Sequence, residues 1–150
     1  IDCSAIGELL KQGSTIRQEL QISPDAPLVL NIARFRIRKG QDYLLRAMAL
    51  VAQEIPEVRC ILVGHGPELE RLKNLTKELK LEQHVFFLVS RSDLPNFFNG
   101  SDLFVNSHIV HVQVVWRQTA VREREAGSSL PVGAAAALGS HLNRGRTVDW

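Results

Sequence analysis

Four cations fall within six positions, at Arg34, Arg36, Arg38 and Lys39, with Phe35 and Ile37 alternating between them and Gly40 directly behind. The apolar run Leu28-Val29-Leu30, continued by Ile32, leads straight into them. A short apolar run of this kind reads as a buried strand, and a strand that stops at such a cluster delivers positive charge to one edge of a sheet. In open α/β sheets that edge is where ligands bind. Arginine can hold two phosphoryl oxygens at once through its planar fork, and lysine acts as a compact point charge, so the cluster suits a diphosphate. A solvated basic loop is the other reading of the same segment.

The elements that must position this loop can be read from the residues around it. Ser23-Pro24-Asp25-Ala26-Pro27 is a turn, and the strand at 28–32 follows it. Leu44, Met48, Val51 and Ile55 recur at helical spacing across Gln41 to Glu54, and Pro56 ends that helix. A second strand, Arg59 to Val63, runs into Gly64-His65-Gly66-Pro67. The next helix is predicted over 67–80, with Leu69, Leu72, Leu75 and Leu79 inward and Pro67 in its tolerant first turn. A third strand at Val85 to Val89, a short helix around Leu94 to Phe98 and a fourth strand at Leu103 to Val105 complete the series. Strands alternating with helices at this spacing predict an α/β fold, a parallel sheet with helices on both faces. Upstream, residues 3 to 20 carry helix-like apolar spacing interrupted by Gly13.

The chain has 150 residues, 45% hydrophobic and 23% charged, enough for a single sizeable core and unlike a disordered chain. A net charge of +2 is too small by itself to argue for nucleic acid or a membrane surface, and the cationic segment lacks the exposed interleaved aromatics of a base-stacking platform. No run approaches the ~20 apolar residues that span a bilayer, and no secretory leader pattern opens the chain. Cys3 and Cys60 make no disulfide framework, so a reducing cytoplasm is the expected setting. His108 and His111 stand three apart, but Val110, Val112, Val114 and Val115 favour a strand there, and no third ligand lies near.

After about residue 105 the character changes. None of the five lysines lies in this tail, whereas both tryptophans and three of the five histidines do. Ile109 to Trp116 is compatible with a strand, while Gly127 to Gly145 is dominated by Ala, Gly and Ser with weak periodicity. The tail, 106–150, is therefore read as poorly specified.

Taken in order, NIARFRIRKGQDYLLRAMALVAQEIPEVRCILVGHGPELERL and then VFFLVSRSDLPNFFNGSDLFV resemble the family 4 glycosyltransferases. The resemblance is to the C-terminal, donor-binding domain of that family and covers roughly residues 1–105. It implies the GT-B fold, with this chain as its Rossmann-like half. It also implies retaining transfer of a sugar from a nucleotide diphosphate sugar, without metal or other cofactor. Arg34 matches the family arginine and Lys39 the family lysine, which hold the donor diphosphate, so these two are the expected catalytic residues. Gly64 and Gly66 match the glycine-containing turn after the second strand. Val89 and Ser90 lie where the family loop meets the nucleotide base. Asp93 and Asp102 match structural positions, Asp93 as the cap of a short helix. Ala33 stands where the family usually has glycine, and Val89 where glycine is common.

The larger departure follows Val105. There the family has a proline-serine turn, a glycine-rich loop leading to a helix, and a pair of glutamates that contact the donor. This chain has no such loop. Glu125-Ala126 with Leu130-Pro131-Val132 is a faint echo of the later positions, and Glu125 is its donor-binding candidate. A loss of reading frame near residue 106 would account for the break. Since the chain begins at Ile1, the acceptor-binding N-terminal domain is expected to lie upstream, and the 150-residue chain alone is expected to have little turnover. Any peripheral membrane association belongs to the parent enzyme. The competing reading is a non-catalytic α/β module that binds nucleotide or serves as a scaffold.

Overall fold

The structure, a computed structural model, describes residues 13–89, 91–109 and 113–116. Four apolar segments form parallel strands: β1 (Leu28–Ile32), β2 (Arg59–Val63), β3 (Val85–Leu88) and β4 (Leu103–Asn106). Their side chains alternate between two buried faces, which is why they read as nearly continuous hydrophobic runs. Val29, Cys60 and Leu62 join the core beneath α2 (Gln41–Glu54) and α3 (Leu69–Glu78), packing with Leu44, Leu45, Met48, Val51, Leu72 and Leu75. Leu28, Leu30, Ile61 and Val63 face the opposite way, onto Ile16 of α1 (Ile16–Glu19) and Phe97 of α4 (Leu94–Gly100). The predicted layers, a parallel sheet between helices, are therefore present. Burial pushes the Cys60 thiol up to about 12, so it is protonated and inert at neutral pH.

The sheet order is β3-β2-β1-β4-β5, where β5 (Gln113–Trp116) lies antiparallel to β4 with Asn106 opposite Gln113. The chain steps outward from β1 to β3, then crosses back to place β4 on the other side of β1. The gap between β1 and β4 is thus the point where winding reverses, and all four parallel strands end at one edge there. The antiparallel strand departs from the all-parallel expectation. Only six residues separate β4 from β5, too few for the crossover that a parallel neighbour needs, so the chain must turn back on itself.

Several boundaries move for identifiable reasons. The helix read over 67–80 spans Leu69–Glu78, because the Glu68 amide turns aside to donate to the Phe35 carbonyl at 3.2 Å. β3 stops at Leu88, leaving Val89 beyond the strand and 50% exposed. Upstream, the described part of 3–20 is helical only over Ile16–Glu19. At the N-terminal edge of the sheet, Arg17 donates to Asp102 Oδ2 at 2.8 Å, to the Ala26 carbonyl at 2.8 Å and to the Gly100 carbonyl at 2.9 Å. Asp102 also accepts from the Leu28 amide at 2.9 Å, which gives it the structural role expected of it. Among the described residues, no helix is long and apolar enough to cross a membrane.

Candidate functional site

The cationic loop, residues 33–40, leaves the C-terminal end of β1 and is held from two sides. On one side it meets the turn after β2. Phe35 donates its amide to the His65 carbonyl at 2.8 Å, and Ala33 donates to the Val63 carbonyl at 3.1 Å. The turn comes so close that a Cβ on Gly64 would sit 2.0 Å from the Ala33 carbonyl oxygen, and one on Gly66 would sit 2.3 Å from that of Phe35. Both glycines have φ near +155°, at +156° and +154°. Such contacts explain the two glycines as supports that let the β2 turn press against the cationic loop. Phe35 itself is fully buried and meets Phe87 of β3 edge to face, with ring centres 6.1 Å apart.

On the other side stands the segment after β4. Ser107 donates its hydroxyl to the Lys39 carbonyl at 2.8 Å, and the Ile109 amide donates to the Arg38 carbonyl at 3.0 Å. Between them, a short 3-10 turn at Ile37–Lys39 leads through Gly40 into α2. The buried amide of Gln41 closes the loop by donating to the Arg34 carbonyl at 3.0 Å. The backbone is therefore fixed by neighbours from β2, β4 and α2. Sequence reading missed Gln41 and Ser107, and neither carried a signal: one is a polar residue opening an amphipathic helix, the other lies past a motif break.

Arg34, Arg36 and Arg38 are exposed and Lys39 is half-buried. Among the described residues none of the four takes part in an ion pair. The opposite edge of the sheet differs. There Arg17 is paired with Asp102, and Arg59 donates to the Val58 and Pro56 carbonyls at 2.9 and 3.1 Å. Arg17 is thus paired with a carboxylate where the strands begin, while the four cations after β1 have no carboxylate partner among the described residues. An anion brought to that loop would meet four cations that, among the described residues, are not engaged by a carboxylate.

The remaining sequence candidates fall at the same edge or outside the described residues. Gly64 and Gly66 follow β2, and Val89 follows β3. Ser90 and Glu125 lie outside the described residues. Next to Val89, Arg91 donates to Asp93 at 2.7 Å through both its Nε and an Nη, reaches Glu19 at 3.1 Å and lies 5.2 Å from the Phe97 ring centre. Asp93 precedes α4 as expected, but its carboxylate does not cap the helix amides. The Arg91 fork beside it outcompetes them, with the Asn96 amide adding a further bond at 3.1 Å. Among the described residues no cluster of three or more His, Cys, Asp or Glu side chains could hold a metal ion.

This cluster ties the loop after β3 to α1, and it carries a pH signature. Hydrogen bonds from Arg91 and then Asn96 hold the Asp93 carboxyl well below the usual range, and bonds from Thr15 and then Arg91 lower Glu19. In the unfolded chain both return to ordinary values of about 3.9 and 4.3. Their contribution to stability is therefore complete above about pH 5 and is lost as the pH falls through the folded-state values. Both groups are solvated, so the effect is small. Thermal melts should show Asp93→Asn less stable than the unaltered chain at pH 6, with the gap closing toward pH 2. A gap that stays constant would contradict this assignment.

Residues 13–110 match the family model described as Glycosyl transferases group 1. Over 82 residues the chain is 34% identical to the GDP-mannose-dependent alpha-(1-6)-phosphatidylinositol monomannoside mannosyltransferase of Mycolicibacterium smegmatis, covering 53% of this chain and 22% of that protein. Over 89 residues it is 38% identical to the lipopolysaccharide core biosynthesis glycosyltransferase LpsD of Rhizobium meliloti, covering 59% and 25%. The chain thus spans about a quarter of the length of these relatives. Among solved structures, Anabaena Alr3699/HepE in complex with UDP-glucose superposes with a TM-score of 0.61 at 31% identity, over 68% of this chain and 29% of that one. The matched span takes in all four parallel strands and the whole cationic loop, and on that footing the chain belongs to the group 1 glycosyl transferases.

Proposed function

We propose that this chain is the donor-binding half of a retaining glycosyltransferase and that Arg34 and Lys39 hold the diphosphate of a nucleotide sugar. The observation that carries the reading is the cationic loop, which has no ion-pair partner among the described residues and is braced through its backbone at the sheet edge where the winding reverses. As the glycosidic bond breaks, negative charge builds on the departing diphosphate. Fixed cations stabilise that charge most in the transition state and need no reorganisation to do so. They can take the part that a divalent metal plays elsewhere, so the reaction is assigned no metal. The HepE structure, with UDP-glucose bound, supports a nucleotide sugar as the class of donor. Gly64 and Gly66 contribute by holding the loop, and Val89 by standing at the approach of the base. Acceptor binding falls to a partner domain, so the 150-residue chain alone binds donor without appreciable transfer.

Calorimetric titration of the chain with uridine, guanosine and adenosine diphosphates tests this. At least one should bind, and Arg34→Ala and Lys39→Ala should each weaken it about 10- to 100-fold, the worth of one hydrogen bond to a charged group. Arg36→Ala and Arg38→Ala serve as controls and should change it less than about threefold. Absence of binding by all three nucleotides would overturn the reading and leave a scaffold module.

A further inference from the structure

We infer that Ser107 is a positioning residue for Lys39, with Asn31 setting the direction in which its hydroxyl bonds. The inference rests on the donor-binding reading of Lys39 and adds to it the device that fixes where the lysine is presented. Asn31 lies on β1 and is 1% exposed; Ser107 follows β4 and is 2% exposed. The Asn31 side-chain amide spans the gap between these strands, donating from Nδ2 to the Val105 carbonyl at 2.8 Å and to Ser107 Oγ at 3.4 Å. Its Oδ1 is buried and has no hydrogen-bond partner among the described residues.

The order of donors and acceptors follows from this. A carbonyl can only accept, so Val105 compels the Asn31 side chain to present its N–H₂, and turning the amide over would set two oxygens against each other. Toward Ser107, Asn31 can then only donate. The serine oxygen accepts, and its single hydrogen is left for the Lys39 carbonyl. The chain of bonds runs one way, from the inner strand through Ser107 to the residue that bears the ammonium. An orphaned buried oxygen is costly, and here it is the counterpart of holding the amide in the donating orientation. Packing reinforces the bond. Gly40 has φ of +65°, and a Cβ there would lie 2.1 Å from the Ser107 carbonyl oxygen, so the backbones of the two segments touch directly behind Lys39.

Ser107→Ala removes one oxygen atom and leaves the backbone contacts in place. Binding of whichever of the three nucleoside diphosphates the chain holds most tightly should weaken about three- to tenfold, the worth of one neutral hydrogen bond. In a Lys39→Ala background, where Arg34 still supports binding, the same change should cost less than about 1.5-fold. Ser107→Thr, which keeps the hydroxyl, should restore most of the affinity. A residue that merely stabilised the fold would weaken binding equally in both backgrounds. That result, or unchanged affinity in Ser107→Ala, overturns the inference while leaving the donor-binding reading intact. Failure of the unaltered chain to bind any of the three nucleotides overturns both.

Discussion

Replacing Phe35 by alanine is expected to lower the free energy of unfolding by about 3–5 kcal/mol, the usual cost of emptying a fully buried aromatic site. The size follows from its position: the ring is fully buried, belongs to the core beneath α2 and α3, and meets Phe87 edge to face. Its backbone is also the hinge pin of the cationic loop, since its amide bonds to His65 and its carbonyl accepts from Glu68. A cavity at this point should therefore loosen the loop as well as the core. Urea denaturation followed by circular dichroism gives the first effect. The second appears as faster amide exchange at Phe35 and Glu68 than at β1 under native conditions. A loss of under about 1 kcal/mol would mean that the core closes around the gap, contrary to the packing described.

Gly64→Ala should be nearly as severe, at roughly 2–5 kcal/mol, for the opposite reason. It overfills a contact between two stretches of main chain. The added methyl would lie 2.0 Å from the Ala33 carbonyl oxygen, at a φ of +156° that a side chain seldom adopts. No rotamer relieves a Cβ, so the turn after β2 must withdraw from β1, straining the bonds from Ala33 to Val63 and from Gly64 to Leu88. Glycine is required here by contact within the protein, whatever further approach a ligand makes. Equal stability of Gly64→Ala and the unaltered chain would show that the turn can shift at little cost.

Much of the architecture was legible because local and tertiary demands agree. The helix read over Gln41 to Glu54 and the strand read over Arg59 to Val63 have those boundaries in the structure. Each combines a clear apolar period with a firm stop, Pro56 in one case and Gly64 in the other. The helix after β2 is shorter by two residues at each end than its pattern predicts: a bond to Phe35 redirects Glu68 at the start, and Lys80 takes a φ of +57° at the finish. Asp93 has the residue type and position of a cap, but its carboxylate is taken up by an arginine two residues away. Charge at the sheet edge could be read from Arg34 to Lys39. The fixing of that loop could not, since it depends on pairs such as Ser107 and Lys39 that only the completed winding brings together. Gly100 is a similar case: it sits in α4 because a Cβ would strike Ile16 at 2.2 Å, a contact that exists only once α1 has docked.

The bond from Ser107 to Lys39 spans 68 positions of chain, and this separation sets an order of events during synthesis. Arg34 and Lys39 leave the ribosome early, together with β1, but the segment that pins their loop is made only after three further helices and three further strands. Closing so wide a loop must wait for the sheet to bring β4 beside β1. The cationic loop therefore gains its final shape only after β4 has docked, although its own residues are among the first of the sheet to be made.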